Sequence, residues 1–335
     1  MDRALFRSNI VEDRSQVSIV KREIHSLIRS SFDENRTGEI DIVVAEMLSN
    51  LIKHAKSGEL LYRLSQENNA PLFELLCIDS GPGIKDVIHS SKDGVSSKNT
   101  LGQGLGAISR LSSFSQIYSQ VNWGSIFYSR FQRSADTPAS QSKVTVRSFN
   151  VPMPGEKVSG DGAAIRFIED KVMIFAADGL GHGTHAKDAV DKACEVFYNS
   201  NTADPAALIQ EMHLSTKKSR GLVGTIAVLD SVRKQWEICG IGNIHTRLQK
   251  GLEYRNYICN NGIISLNIPG RLENAVWGAE KFQLLIFCSD GLKTRWDLVR
   301  YPSILKYDPM IIAAALYKDH GRRTDDMSIL IIKVV

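Results

Sequence analysis

Hydrophobic positions along this chain follow two periods, and each stretch of regular period ends where a cluster of polar or glycine-rich residues begins. Between residues 39 and 56, Ile40, Val43, Val44, Met47, Leu48 and Leu51 recur three or four apart, which predicts an amphipathic helix; residues 17–28 are helix-like in the same way. Residues 60–64 and 72–78 read as strands, 99–111 as a loop entering a helix, and 115–118 with 125–131 as the strands of a hairpin. The run from Arg133 to Ser142 is small and polar and reads as a linker before a new β-like run at 143–149. Beyond it, residues 163–168, 172–176, 224–229, 235–238, 246–248 and 282–287 are apolar and β-rich, and helices are expected at 184–198, 205–217 and 309–317. Strands from separated segments flanked by helices predict an α/β (α+β) layered architecture.

Composition narrows the classes. A chain of 335 residues is long enough for two domains with separate cores. With 41 Lys+Arg against 37 Asp+Glu and no basic run interleaved with aromatics, nucleic acid is not expected as a partner. The apolar stretches at 284–288 and 311–316 fall far short of the roughly 20 residues that cross a bilayer. The first residues lack a basic flank followed by an apolar core, and the five cysteines form no CxxC pair. A cytoplasmic setting with reduced thiols is the expectation.

Two groups of motifs flank the linker. Upstream, Glu46 and Asn50 lie one turn apart on the predicted 39–56 helix; a carboxylate there can polarise a hydroxyl, and an amide oxygen suits Mg²⁺. Asp79 ends a strand-like run and precedes Gly81 and Gly83, while Gly102, Gly104 and Gly106 open a helix whose N-terminal amides can meet phosphate. Each feature alone also fits a solvated helix face or a plain turn. In this order they resemble the GHKL ATPase family over roughly residues 15–131, and most of all its anti-sigma-factor-type serine kinases. The resemblance implies an α/β sandwich that binds ATP with Mg²⁺, Glu46 as general base, Asn50 as metal ligand, Asp79 as adenine anchor and the five glycines as nucleotide loops. Residues 84–101 would be a lid, with Lys92 and Lys98 facing phosphates or solvent. His25 lacks the setting of a phospho-accepting histidine and is expected to be a core or surface residue.

Downstream, Asp161, Asp178, Asp290 and Asp325 stand at the ends of β-like runs, three of them beside glycine, a pattern that can gather two hard divalent ions. Taken singly, an Asp-Gly pair also fits a β-turn. The ordered set resembles the metal-dependent PPM phosphatases of the sporulation stage II E type, over about residues 144–335. That resemblance implies an α-β-β-α layered domain, two Mn²⁺ or Mg²⁺ ions held by Asp161, Asp178, Asp290, Asp325 and the Gly179 carbonyl, and attack by metal-activated water without a phosphoenzyme. Asp326 is a less certain neighbour of the set, and His182 has two readings, protonation of the leaving group or support of its loop. The segment Cys239–Ile244 resembles small phosphatases that reset bacterial stress-signalling complexes.

The expected organisation is therefore a GHKL domain at 1–133, a linker at 134–143 and a PPM domain at 144–335. The resemblances imply a partner-switching regulator acting on a phosphorylated STAS-domain protein of an anti-sigma pathway, with a homodimer as a further expectation. Two alternatives stay open: an N-terminal domain that only binds ATP or sequesters a partner, and one that gates the phosphatase. A flexible ten-residue linker has a mean span of roughly 15–20 Å.

Overall fold

The computed structural model describes residues 4–55, 58–87, 104–133 and 144–334. Helix α1 (Arg14–Ile28) starts at a capping box, in which the Asp13 side chain accepts from the Gln16 backbone and the Gln16 side chain bonds back, and α2 (Glu34–His54) starts on Asp33. The helix predicted at 39–56 thus begins five residues earlier, because the cap lies before the first apolar position. Both helices, with α3 (Gly104–Leu111), cover one face of an antiparallel sheet ordered β1 (Arg7–Ile10), β2 (Gly58–Glu67), β3 (Ala70–Asp79), β5 (Gly124–Gln132), β4 (Phe114–Gln120). Alternation sorts the side chains: Phe73, Leu75 and Cys77 of β3 join the helices, whereas Leu76 and Ile78 face the other way.

The remaining strands make two further five-stranded sheets. One runs β13 (Ala275–Gly278), β10 (Gln235–Ile241), β9 (Leu222–Asp230), β8 (Lys171–Gly179), β7 (Asp161–Ile168); the other runs β12 (Glu253–Tyr257), β11 (His245–Lys250), β14 (Leu284–Cys288), β15 (Met327–Val334), β6 (Val144–Val151). Their inner faces meet in a core built on Ile174, Ala227, Trp236, Leu285, Phe287 and Leu330. Helices α4 (Thr184–Asn199) and α5 (Pro205–Ser215) cover the outer face of the first, and α6 (Pro309–His320) covers the outer face of the second. This is the expected α-β-β-α arrangement.

Helix α6 is apolar all round, with Pro309 through Tyr317 buried, so it has no face to give to water. Its second side is taken by the N-terminal sheet: Phe6, Leu61, Leu76, Ile78, Tyr118, Ile126 and Tyr128 share one core with α6 and with Phe149, Ile286, Ile329 and Ile331. The whole is a stack of six layers, helices, sheet, α6, sheet, sheet, helices. Two bodies free on a tether are not what this contact permits. Each fully buried Leu, Ile or Phe contributes about 1.5–3 kcal/mol, against about 2 kcal/mol of length-dependent entropy for a ten-residue connection. The linker residues 134–143 lie outside the described residues.

Polar contacts fix the register of the stack. Arg63 donates to Glu74 (2.6 Å) and to the Ser148 carbonyl of β6 (2.7 Å), and Tyr128 donates to the other Glu74 oxygen (2.6 Å). Burial opposes the charge on Glu74, but attraction to Arg63 and Arg130 and these hydrogen bonds outweigh it and bring the carboxyl down to about 2. The Phe6 amide also donates to the Asn150 carbonyl (2.9 Å).

Candidate active sites

The four candidate aspartates come from one end of the two-sheet sandwich. Asp161 opens β7 and pairs in register with Asp178 near the end of β8; Asp290 follows β14, and Asp325 precedes β15. Asp178, Asp290 and Asp325 line a cleft of about 370 Å³ together with Gly181, Asn243 and Asn261. Asp161 is buried behind them, and its Oδ2 has no hydrogen-bond partner.

Close approach explains the glycines. A side chain at Gly179 would collide with the Ala186 backbone where α4 begins, and one at Gly291 would collide with the Asp326 carbonyl. The loops bearing the carboxylates therefore press together at their backbones.

Burial drives Asp178 up to about 9, reinforced by Asp161, Asp290, Asp325 and Asp326; burial likewise takes Asp161 up to about 7, with the Ser289 hydroxyl working against the shift and Asp326 adding to it. An unpartnered carboxylate oxygen and mutually repelling acids are the setting that a hard cation relieves. The residues fit divalent ions in that sense. Among the described residues no three Asp, Glu, His or Cys side chains close into a finished metal cage.

Asp326 has a different task from its neighbour. Its two oxygens accept from the Met153 amide (2.8 Å) and the Gly160 amide (2.6 Å), which fastens the segment before Asp161. Asn243 donates to Asp290 (3.2 Å) and so orients that carboxylate. His182 is exposed and pairs with Glu156 (3.0 Å), which accords with support of its loop. The sequence singled out the segment around Asn243 but not this role; Asn261 lies in an irregular segment with no motif to mark it.

The upstream residues also converge. Glu46 and Asn50 are half-buried, one turn apart on α2, and the Glu46 Oε2 lies 2.5 Å from where a Gly104 side chain would begin, at the start of α3. Asp79 closes β3 and accepts from the Gly81 amide (2.7 Å); burial raises its pKa, opposed by that amide, Ser125 and Lys318. Gly83 is in the left-handed region at φ 75°, against the backbone of Gln120, and Gly106 is buried in α3. Gly102, Lys92 and Lys98 lie outside the described residues. His25 is a surface residue bonded to Asp41 (2.7 Å). Cys77, Cys194, Cys239 and Cys288 are buried and Cys259 is partly so, all as free thiols.

These folds and motifs define a chain in which a histidine kinase-like ATPase domain precedes a two-sheet domain with the fold of known phosphatases. Residues 10–122 match the histidine kinase-like ATPase domain family. The chain is similar to the phosphoserine phosphatase RsbX of Bacillus subtilis (strain 168), 23% identical over 96 residues, 29% of this chain and 48% of RsbX. It thus spans about half the length of that relative. Among solved structures, one from a bacterial stressosome system adapted to control secondary messenger signalling has a TM-score of 0.52 at 22% identity, covering 57% of this chain and 99% of the other. RsbX in complex with magnesium has a TM-score of 0.51 at 18% identity, covering 57% and 96%. At these identities the structural likeness concerns the fold. No helix among the described residues is long and apolar enough to cross a membrane.

Proposed function

We propose that this protein is a partner-switching regulator whose C-terminal domain (144–335) is a Mn²⁺- or Mg²⁺-dependent serine/threonine protein phosphatase and whose N-terminal domain (1–133) binds ATP with Mg²⁺. The observation that carries the proposal is the gathering of Asp178, Asp290 and Asp325 on one cleft, with Asp161 buried behind them and one of its carboxylate oxygens left without a partner. The likeness to a phosphoserine phosphatase, and to its fold with magnesium bound, supports it.

In this reading Asp161, Asp178, Asp290, Asp325 and the Gly179 carbonyl hold the ions. When bound, the ions supply charge neutralisation and an activated water for in-line attack on phosphorus. Asn243 orients Asp290, and Asp326 holds the Met153–Gly160 segment so that Asp161 stays behind the cleft. The substrate is a phosphoserine or phosphothreonine on a small STAS-domain protein, in a cytoplasmic pathway.

Upstream, Asn50 contributes to Mg²⁺, Asp79 anchors adenine, Gly81, Gly83, Gly102, Gly104 and Gly106 shape the nucleotide loops, and Glu46 is the general base if phosphate is transferred. The structure favours a second reading of this domain, as a regulator of the phosphatase, because α6 is the shared wall of both halves. The turn at Asn122 donates to the Pro82 carbonyl (2.8 Å) in the Asp79–Gly83 loop, and Trp123 donates to Asp319 of α6 (2.9 Å). Six residues further, the chain reaches Asp325.

The test is hydrolysis of a phosphoserine-bearing STAS protein with Mn²⁺ or Mg²⁺. Folded Asp178→Asn and Asp290→Asn variants should lose at least a hundredfold in rate, in keeping with the several kcal/mol a metal supplies to the transition state. Undiminished turnover in either variant, or full activity in excess chelator, would overturn the assignment.

A further inference from the structure

A cleft walled by aspartates would, even with cations bound, still need donors for the outer phosphate oxygens, and its lining includes no Lys or Arg. One guanidinium stands at its edge. Arg220 Nη2 and Cζ lie 2.7 and 2.9 Å from the point where a side chain on Gly181 would start, so the guanidinium occupies the space over a residue that lines the cleft. Gly181 is at φ 80°, a conformation that disfavours any side chain, and this keeps the space open. Arg220 is exposed and has no salt bridge among the described residues, and Gly181 shares the cleft lining with Asp178, Asp290 and Asp325.

The backbone that carries Arg220 is fixed. The Leu180 amide donates to the Gly221 carbonyl (3.0 Å), which ties the arginine turn to the loop after Asp178. On its other side the turn is clamped to Ser265: the Thr216 and Ser219 hydroxyls lie 2.8 and 3.1 Å from the Ser265 hydroxyl, and the Ser265 amide donates to His213 (3.2 Å). Ser265 is buried and sits at φ 88°, a strained backbone state for a residue with a side chain, which persists only where its surroundings hold it. The loop it belongs to also supplies Asn261 and Gly262 to the cleft.

We propose that Arg220 is a substrate-binding residue that receives the phosphoryl group of the phosphoserine or phosphothreonine at the rim of the cleft, through the paired donors of its guanidinium. The fork of an arginine matches two phosphate oxygens at once, and a lysine supplies only a point charge. This inference rests on the phosphatase reading above and adds the recognition of the dianion to it.

The experiment compares wild type, Arg220→Ala and Arg220→Lys at saturating Mn²⁺, with a phosphoserine peptide and p-nitrophenyl phosphate as substrates and inorganic phosphate as inhibitor. Arg220→Ala should raise KM for both substrates and the inhibition constant for phosphate by about tenfold or more, with a smaller effect on kcat; Arg220→Lys should recover part of each. Mn²⁺ affinity measured by calorimetry, and the Tm, should match wild type. Unchanged KM and phosphate inhibition in an active Arg220→Ala variant would overturn the role of Arg220 and leave the phosphatase reading intact. A parallel loss of Mn²⁺ affinity would also overturn it, by showing that Arg220 supports the fold of the site. If wild type hydrolyses neither substrate with Mn²⁺ or Mg²⁺, both readings fall.

Discussion

Asp161 and Asp178 face each other across the β7–β8 ladder, and burial keeps both protonated well above the range of a free aspartate. The folded pKa values, about 7 and about 9, exceed the unfolded value of 3.8. Between that value and about 9 the folded state therefore binds more protons than the unfolded one, and stability falls as pH rises. Divalent ions replace those protons, so metal affinity should rise over the same window. Thermal melts of chelator-treated protein from pH 6 to 9 should show a falling Tm, and Mn²⁺ should restore more at pH 9 than at pH 6. A flat profile without metal would show that the acids do not titrate in this range. Glu46 and Asn50 permit a separation of another kind, since they share a helix face but are assigned different tasks. Glu46→Ala should keep Mg²⁺-ATP binding and lose any phosphotransfer, whereas Asn50→Ala should weaken the binding itself by about tenfold or more. Calorimetric titration decides, and equal loss of binding in the two variants would reject the division.

Elements with one clear face were legible in the sequence, and elements defined by distant partners were not. The apolar stripe of α2 and the runs of β3, β8 and β9 announced themselves, whereas the edge strands β1 and β12 did not, because Arg7–Ile10 and Glu253–Tyr257 are polar and owe their state to neighbouring strands. The Asp motifs were readable because each lies at a strand end beside a turn. The roles of Asn243 and Asp326 were not, since their contacts span long sequence separations. The fused core left a trace that was open to reading: Leu72–Ile78 is nearly continuous in apolar residues, as in a strand buried on both faces, and 311–316 has no polar side at all. Ala313, Ala314 and Ala315 are fully buried in α6, where small side chains let two sheets approach one helix. Ala314→Leu should overpack this layer at a cost of about 1–3 kcal/mol. Because α6 serves both halves, calorimetry of the full chain should show one lowered transition. Lowering of one transition while a second stays in place would indicate that the halves unfold independently.

At the scale of the whole molecule, the two sites are joined through a buried carboxylate between the halves. Glu59 of β2 accepts from Ser8, from the Tyr317 hydroxyl of α6 (2.6 Å) and from Arg323 (2.6 Å). Arg323 is held in the left-handed region at φ 58°, two residues before Asp325, so the ion pair fixes a strained turn that carries a candidate metal ligand. Glu59 stands next to Gly58, the register partner of Asp79. If nucleotide binds at Asp79, a change at the Gly58–Asp79 end of the β2–β3 ladder would meet the Arg323 turn through Glu59 and, through Trp123 and Asp319, the end of α6. Opposed activities in one chain would consume ATP without net effect unless one is suppressed while the other runs, and this contact offers the means. Saturating Mg²⁺-ATP should change the phosphatase rate of wild type about fivefold or more, the lower end of ordinary coupling energies. Glu59→Gln should retain nucleotide binding and basal phosphatase activity within a few-fold, yet reduce the ATP effect towards none. The measurement is the rate on a phosphoserine STAS protein with and without ATP, beside calorimetric ATP affinity for both proteins. A wild-type rate indifferent to bound ATP would leave two enzymes that share a core without sharing control, and an ATP effect undiminished in Glu59→Gln would place the coupling elsewhere along α6.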